Sequence, residues 1–374
     1  MAEFIQAEKL ITFLVMLSVL IVLHELGHYI VARRNGVRVN EFAVGFGPKL
    51  AKVVDKNGTV WALNLLPIGG YCAMQGEDGK NTEAEQQREF RAGSARYSDD
   101  NFQAKAAWQR LAIVVAGPFA NFILAFVILL ASATIFGVQG DRSQAVVGPL
   151  ITGMPAQRAG LRPGDRVVSV DGVTIRDGQQ LVDLIHNSGG KPLRIVYVRN
   201  GIASSVTVAA IVGRCNDPKH PHYACIGFTP VPAFQRVGPG EALLDAATGM
   251  GRLWDQTVGS LALLVAHPRE YGSQVRGIVG MEQVATVTQD FGGGLYLQLA
   301  ALISFSLGIF NLLPIPALDG GRAAFILAEM LRGKPVDPEK EALVHIAGFA
   351  VLMLVMVAVT FHDISNIVSG KGVF

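Results

Sequence analysis

His24-Glu25-Leu26-Gly27-His28 lies inside the first hydrophobic segment of the chain, and this placement decides how the whole sequence is interpreted. On one helix, His24 and His28 are four residues apart and therefore share a face, one turn apart. Two imidazoles at that spacing can bind one zinc ion, and Glu25 lies beside them to accept a proton from the attacking water. The preceding run, Leu10–Leu23, is almost entirely apolar. Ionisable side chains at membrane depth are costly, so the motif predicts a functional zinc site in a membrane helix.

The composition also indicates a membrane protein. Half of the 374 residues are hydrophobic, 17% are charged and the mean hydropathy is +0.37, which is too apolar for an ordinary soluble protein of this length. Four segments are long enough to span a bilayer: Leu10–Ala32, Leu111–Val138, Leu295–Leu313 and Ala342–Phe361. The first is interpreted as a retained span, because its charged start is weak and no small-residue cleavage site follows it.

Basic residues concentrate in the short segments that flank these spans, and the positive-inside rule places such flanks in the cytoplasm. They are Arg33, Arg34 and Arg38 after the first span, Lys105 and Arg110 before the second, and Arg322, Arg332, Lys334 and Lys340 between the third and fourth. Both chain ends and the segment from about 139 to 294 are then predicted to lie outside. The net charge of +2 carries no nucleic-acid-binding pattern, so no nucleic acid partner is expected.

The three cysteines fit this arrangement. Cys215 and Cys225 flank a turn-like segment on the predicted outer side, where an oxidising compartment permits a disulfide. Cys72 is predicted to be a free, buried thiol on the cytoplasmic side.

Catalytic zinc usually has three protein ligands and one open position, so the HExxH motif needs a third ligand from elsewhere. The candidate is Asp319, in Asn311-Leu312-Leu313-Pro314-Ile315-Pro316-Ala317-Leu318-Asp319-Gly320-Gly321 at the end of the third apolar segment. Pro314 and Pro316 cannot continue a regular helix, and broken backbone at membrane depth is tolerated where it is buried in protein or lines a wet cavity. Taken alone, Asp-Gly-Gly also fits a turn that leaves the membrane. The matching depth of the HExxH motif favours a metal ligand.

The chain resembles the site-2 proteases, which are intramembrane zinc metalloproteases, and among them the bacterial RseP-type regulators of envelope stress. The motifs that carry the resemblance are spread over nearly the whole chain. They are HELGH at 24–28, GFGP at 45–48, LLPIGGY at 65–71, AGPFAN at 116–121, a PDZ-like segment, and the stretch from Asn311 to Gly321. HExxH alone occurs in many unrelated zinc enzymes, whereas its combination with NxxPxPxLDG in a later span is highly specific.

The resemblance implies a role for each candidate residue. His24, His28 and Asp319 would bind one Zn²⁺ per chain, and Glu25 would act as the general base. Asn311 would contact the substrate or stabilise the developing oxyanion.

The region between the first two spans contains a predicted β element. Thr59–Pro67 is rich in β-branched and apolar residues and is bounded by Gly58 and by Gly69-Gly70, which is typical of a hairpin. The resemblance implies that this element re-enters the membrane edge and pairs with an extended substrate, since strand addition satisfies the peptide groups that an unwound helix frees. The implied substrate-binding residues are Leu63, Asn64, Leu65, Gly69 and Gly70. An ordinary cytoplasmic hairpin is the alternative.

A PDZ-like domain is predicted from about Ala145 to Val212, where short β-like runs alternate with turns. The predicted strands are Arg166–Val170, Leu193–Val198 and Ser205–Ile211, with an amphipathic helix near Gln179–His186. The segment AGLRPGD at 159–165, followed by VDG at 170–172, resembles the bacterial, circularly permuted PDZ module. Such modules bind extended peptides by strand addition, and the predicted groove strand lies near Gly148–Gly153. RseP relatives often carry two such modules, whereas this chain has one.

The predicted fold class is therefore a polytopic α-helical membrane protein with about four transmembrane helices, a membrane-associated β-hairpin region and an inserted α+β PDZ-like domain. The predicted segments are 1–32 for the first helix, 33–110 for the cytoplasmic region, 111–138 for the second helix, 145–212 for the PDZ-like domain, 213–294 for a loop with amphipathic helices, 295–321 for the third membrane segment and 342–361 for the fourth helix. The resemblance places the protein in a bacterial inner membrane, with both termini and the PDZ-like domain periplasmic and the zinc site towards the cytoplasm.

The implied function is intramembrane proteolysis of single-span proteins that have already been trimmed, such as an anti-sigma factor, or of signal-peptide remnants. A zinc transporter is one alternative, but it would distribute metal-binding residues along a path. A non-catalytic PDZ scaffold or membrane chaperone is another, and it leaves Glu25 without a role.

Overall fold

The computed structural model describes residues 2–77, 98–139, 145–151, 153–213, 222–232, 234–272, 275–334, 336 and 338–368. They fall into two compact units. The first is built from Met1–Leu129, Ala247–Thr286 and Leu299–Gly370, and the second mainly from Leu130–Ala246.

The described helices and strands are numbered here in chain order. The helices are α1 (Ala2–Arg34), α2 (Ala107–Ile135), α3 (Pro155–Arg158), α4 (Gly178–His186), α5 (Pro239–Ala266), α6 (Pro268–Tyr271), α7 (Ile278–Asp290), α8 (Gly293–Leu312), α9 (Asp319–Arg332) and α10 (Pro338–Val368). The strands are β1 (Val39–Val54), β2 (Val60–Met74), β3 (Val138–Gln139), β4 (Ala145–Leu150), β5 (Arg166–Val170), β6 (Val173–Thr174), β7 (Pro192–Arg199), β8 (Ile202–Ala209), β9 (Ile211–Val212), β10 (Ala224–Cys225), β11 (Phe228–Pro232) and β12 (Phe234–Gln235).

Four helices are long and apolar enough to cross a membrane, and each overlaps one predicted span. They are Ala7–Arg34, Ala107–Ile135, Gly293–Leu312 and Lys340–Asn366. Large apolar side chains such as Val15, Ile123 and Val351 are exposed on these helices, as expected where the surroundings are lipid. The predicted number of spans is thus confirmed.

The third predicted membrane segment, 295–321, is not one continuous element. Helix α8 ends at Leu312, and Asp319 begins a further helix, α9. The break follows from Pro314 and Pro316, which supply no backbone N–H to a helix. The segment between the third and fourth spans therefore contains a helix, and its basic residue Arg322 lies on α9.

The two strands after α1 form a bent two-stranded sheet. Ala43 of β1 lies beside both Ala62 and Tyr71 of β2, so the early part of β1 has a neighbouring segment on each side. Gly69 permits the bend in β2 because its φ of +85° is unfavourable for other residues, and a Cβ there would lie 2.8 Å from the Phe46 ring. The predicted hairpin is confirmed, and it is longer than its sequence pattern indicated.

The second unit contains the PDZ-like domain. Its sheet has the order β11-β4-β5-β7-β8, with β6 paired to β5. The apolar core lies between this sheet and the helices, and it includes Leu181 of α4 and Ile195 of β7, both fully buried. Helix α4 begins where Asp177 accepts a hydrogen bond from the Gln180 backbone N–H at 2.7 Å.

Two details of this domain were not predicted. The sheet continues past Val212, because β11 pairs with β4 through Phe228↔Leu150 and Val231↔Val146. Strand β4 is interior to the sheet, since it pairs with β11 and, at Ala145 and Val146, with β5. Among the described strands β11 ends the sheet on that side, and a peptide that adds as a strand requires such an edge. A groove strand near residues 148–153 stays a prediction.

The cysteines are only partly described. Cys72 is free and buried in β2, as predicted. Cys225 lies in β10, whereas Cys215 is outside the described residues, so their disulfide stays a prediction.

Candidate metal centre

Helix α1 brings the two histidines together. His24 and His28 are both buried, and their Nε2 atoms lie 3.2 Å apart on one face of the helix. The i, i+4 spacing in the sequence therefore places two imidazole nitrogens on one side of α1, as predicted.

Asp319, the first residue of α9, completes the group. Its Oδ2 lies 3.1 Å from His24 Nε2 and 3.4 Å from His28 Nε2. This oxygen is buried but makes no hydrogen bond to any residue in the described part of the chain. Within that same part, these three side chains are the one group of histidine, cysteine and acidic residues that could hold a metal ion.

The local sequence explains how Asp319 reaches the histidines. The chain folds back sharply between α8 and α9, and a Cβ at Gly320 or Gly321 would overlap the carbonyl oxygens of Leu313 and Ile315, respectively. Ala317 has a φ of +81°, and its backbone N–H donates to Nδ1 of His345 at 2.9 Å. The Asp-Gly-Gly sequence is thus required by a tight fold-back at the start of a helix.

Helix α9 is held in place by packing and by two ion pairs. Ala323 and Ile326 are buried in a cluster with residues of α1, β1, β2 and α2. Arg322 donates to Glu77, which follows β2, and Glu329 accepts from Arg110 of α2. These contacts fix the helix that presents Asp319.

Helix α2 forms a wall beside both histidines. Ile113, Gly117 and Asn121 repeat every four residues and therefore share one face of this helix. The Ile113 carbonyl lies 2.8 Å from His28 Nδ1, and the Asn121 side-chain amide lies 3.1 Å from His24 Nδ1. The Nδ1 atoms of both rings are thus occupied by α2, which leaves their Nε2 atoms to face Asp319.

Close approach of α1 and α2 depends on glycine at the positions where they meet. A Cβ at Gly27 would lie 2.5 Å from the Ala116 carbonyl oxygen. A Cβ at Gly117 would overlap His28 Nε2 and lie 2.8 Å from His24 Nε2. The absence of a side chain at Gly117 therefore keeps space around the imidazole nitrogens.

These observations fit a zinc ion. In a tetrahedral site with ligand distances of about 2.0–2.1 Å, neighbouring donor atoms are about 3.3 Å apart. The three donor atoms here are separated by 3.1, 3.2 and 3.4 Å. Two imidazoles and one carboxylate, whose buried oxygen makes no hydrogen bond within the described residues, match the three-ligand donor set of a catalytic zinc site.

The remaining predicted residues lie at different places. Glu25 is half-buried next to His24 on α1, within electrostatic range of both histidines and Asp319. Asn311 is half-buried near the end of α8, and its side chain makes no hydrogen bond to another described residue. The structure therefore brings Glu25 to the metal candidates but assigns no partner to Asn311.

The predicted substrate-binding residues of β2 divide into two groups. Leu63 and Leu65 are exposed, at 45% and 52%. Asn64 is buried and donates to the Gly45 carbonyl at 2.9 Å. Gly69 and Gly70 are also buried, and a Cβ at Gly70 would lie 2.7 Å from the Ala43 carbonyl oxygen. The leucines offer side-chain surface, whereas the other three residues shape the sheet.

Sequence reasoning missed Ile113, Gly117 and Asn121 as parts of the centre. A backbone carbonyl such as that of Ile113 leaves no mark on the sequence. Gly117 and Asn121 stood within the quoted AGPFAN motif, and a polar Asn121 within an apolar span is the feature that could have identified this face.

Known proteins are similar to this chain over nearly its whole length. The model of peptidase family M50 matches residues 12–355. A putative zinc metalloprotease of Rhizobium meliloti is 33% identical over 95% of this chain and 96% of its own length. The regulator of sigma-W protease RasP of Bacillus subtilis is 31% identical over 96% of this chain and 98% of its own.

Several solved structures are similar to part of the chain. The PDZ domain of an SdrC-like protein from Listeria monocytogenes covers 25% of this chain and 94% of its own, with 23% identity and a TM-score of 0.21. The family match covers far more of the sequence, from the first span to the last. The chain belongs to peptidase family M50.

Proposed function

We propose that this protein is an intramembrane zinc endopeptidase that hydrolyses peptide bonds within the transmembrane segments of membrane proteins. The observation that carries the proposal is that Asp319 meets His24 and His28, which lie with Glu25 on a helix long and apolar enough to cross a membrane. Family membership supports the same reaction class.

His24 Nε2, His28 Nε2 and Asp319 Oδ2 would hold the zinc ion. When bound, zinc supplies a Lewis acid that polarises a carbonyl group and makes water more acidic. The protein's part is to hold the three donor atoms at the separations that a tetrahedral ion requires and, through Gly117, to leave space beside the imidazole nitrogens.

Glu25 would take a proton from the attacking water and return it to the nitrogen of the leaving amine. It suits this role because it is adjacent to His24 but is not one of the three converging donors. Asn311, eight residues before Asp319, would contact the substrate or stabilise the developing oxyanion.

A transmembrane substrate must unwind before water can reach its peptide bonds, because its helix hides them in internal hydrogen bonds. The sheet of β1 and β2 is suited to receive such an unwound segment by strand addition. Leu63 and Leu65 would contact its side chains, while Asn64, Gly69 and Gly70 keep the sheet in shape from buried positions.

The substrates we propose are single-span proteins that have first been trimmed outside the membrane, such as an anti-sigma factor, or signal-peptide remnants. The name of the Bacillus subtilis relative, a regulator of sigma-W protease, supports the first class. We further propose a bacterial inner-membrane location with both termini and the PDZ-like domain in the periplasm and the zinc site towards the cytoplasm, on the basis of the basic flanks.

The decisive experiment uses the full chain purified in detergent with a single-span model substrate. Wild type is expected to contain about one zinc per chain, and His24→Ala, His28→Ala and Asp319→Ala to lose it. His362→Ala is the matched control, because His362 is exposed on α10 and bonds only to Asn366 among the described residues. Zinc retained by Asp319→Ala would remove Asp319 from the metal site.

Glu25→Gln separates catalysis from metal binding. This variant should keep its zinc and its fold but cleave about 10²- to 10⁴-fold more slowly, since it removes a base and no ligand. Turnover equal to that of wild type would contradict the proposed mechanism.

A further inference from the structure

The two histidines are held by different kinds of group on α2. His28 Nδ1 faces the backbone carbonyl of Ile113 at 2.8 Å, and a carbonyl can only accept a hydrogen bond. His24 Nδ1 faces the side chain of Asn121 at 3.1 Å, and an amide side chain can either donate or accept. Whether Nδ1 of His24 carries a proton therefore depends on whether it faces the nitrogen or the oxygen of this amide.

A neutral imidazole that gives its Nε2 lone pair to a metal carries its proton on Nδ1. That N–H then needs an acceptor, and such an outer partner fixes the tautomer and the orientation of the ring. For His28 the Ile113 carbonyl already fills this role. For His24 the acceptor has to come from Asn121.

Asn121 is placed to supply it. The side chain is fully buried, and its Nδ2 faces His24 Nδ1 while its Oδ1 has no hydrogen-bond partner among the described residues. Its backbone carbonyl accepts from Ser304 of α8 at 2.9 Å, which ties this part of α2 to a second helix. A half-turn about the Cβ–Cγ bond exchanges the amide nitrogen and oxygen without moving the backbone.

We propose that Asn121 is a positioning residue of the metal centre: its side-chain oxygen accepts a hydrogen bond from Nδ1 of His24 and so directs His24 Nε2 towards the metal. This inference rests on the proposed zinc site at His24, His28 and Asp319. It gives the packing of α1 against α2 a chemical purpose, since each histidine then has an acceptor on the same face of α2.

Zinc retention tests the proposal without relying on activity. In competition with a chelator, Asn121→Leu should bind zinc about 10- to 100-fold more weakly than wild type, as is usual when an outer partner of a ligand is removed. Asn121→Asp, which can only accept, should retain zinc at least as well as wild type. Ser132→Ala is the matched control, because Ser132 is a buried polar residue of α2 that donates to the Gly294 carbonyl.

Nuclear magnetic resonance of the zinc-loaded wild type with ¹⁵N-labelled histidine gives a second measurement that needs no variant of Asn121. The resonances of His24, identified by their loss in His24→Ala, should report a protonated Nδ1 and a metal-bound Nε2. Metal on Nδ1 of His24, or zinc retention by Asn121→Leu equal to that of Ser132→Ala, would overturn the proposal.

The outcomes also separate this inference from the proposed function. Loss of zinc in His24→Ala and Asp319→Ala together with full retention in Asn121→Leu would refute only the role of Asn121. Retention of zinc in all of these variants would refute the metal site itself.

Discussion

The PDZ-like domain and the metal-bearing helices are built on opposite patterns of burial. In the domain the core is apolar, with Leu181 and Ile195 fully buried, and the buried Asp165 is paired with Arg199 through two bonds of 2.7 Å. Among the helices, by contrast, buried positions include polar side chains, and large apolar side chains face outward. On the described helices the buried polar residues are Ser18, His24, His28, Arg110, Asn121, Ser132, Thr257, Ser304 and Asp363.

The difference follows from the surroundings of each region. In water, burial of apolar surface drives folding, so a domain is specified chiefly by its apolar core. In lipid, apolar side chains gain little by turning inward, so helix association depends on small residues that allow close approach and on hydrogen bonds between helices. Gly27 and Gly117 are the small residues here, and Asn121 and Ser304 supply the bonds.

The largest effect is expected when one methyl group is added where α2 faces the histidines of α1. In Gly117→Ala the new Cβ would overlap His28 Nε2 and crowd His24 Nε2. The cost should exceed the usual ~1–3 kcal/mol of overpacking, because the methyl group enters the space shared by the metal ligands. Zinc content, measured by metal analysis, should fall to a small fraction of one per chain, and cleavage should cease.

Gly251→Ala is the control for this prediction, because a Cβ at that position of α5 meets nothing within 4 Å. It should keep zinc and activity. Full zinc occupancy in Gly117→Ala would mean that the ligands do not meet next to this residue.

Truncation of an apolar core side chain in the PDZ-like domain should destabilise that domain and leave zinc binding unchanged. Ile195→Ala leaves a cavity in the apolar core and should destabilise the domain by about 2–5 kcal/mol. In the full chain, limited proteolysis should then cut the PDZ-like segment faster, while zinc content remains that of wild type. Loss of zinc in this variant would show that the two units are energetically coupled.

The contrast between the apolar core of the domain and the polar contacts between the helices explains which features could be predicted from the sequence. The four spans and the strands of the PDZ-like domain follow hydrophobic patterns, and β5 at Arg166–Val170 lies where it was predicted. His24 and His28 were identifiable because their spacing matches one helical turn. The role of Ile113 could not be identified from the sequence. Its backbone carbonyl becomes a partner of His28 only because α1 and α2 pack at one particular position along their axes. Asp319 was found, but its position at the start of α9 depends on a fold-back that no periodicity records.

The mildest prediction concerns the pH dependence of the ion pair between the buried Asp165 and Arg199 in the PDZ-like domain. Burial opposes ionisation of Asp165, but the hydrogen bonds from Arg199 and from the Arg162 backbone N–H outweigh it, so the pKa of this carboxyl lies below its usual range. Its contribution to stability is therefore complete above the unfolded-state pKa of about 3.9 and is lost as the pH falls through the lower folded-state value.

Arg199→Met should accordingly unfold at a lower temperature than wild type at pH 7, with a difference that narrows as the pH is lowered towards 3. The difference is measured by heating the full chain and recording the temperature at which the PDZ-like segment becomes sensitive to protease. Zinc content at pH 7 should be unchanged. A gap that stays constant down to pH 3 would mean that Asp165 does not depend on Arg199 for its ionisation.

The spacing of Ile113 and Asn121 on α2 also fixes the length of chain that this site requires. Ile113 and Asn121 are two turns apart and each meets one histidine, so a slide of one helix by a turn, about 5.4 Å, would leave one histidine without its partner. Deletion of a single residue between them would rotate one partner by about 100° around α2. Exposed residues such as Phe119 and Ile123 are free to change to other apolar types, but the number of residues from Ile113 to Asn121 is not free to change. In this stretch the protein constrains length more strictly than it constrains composition.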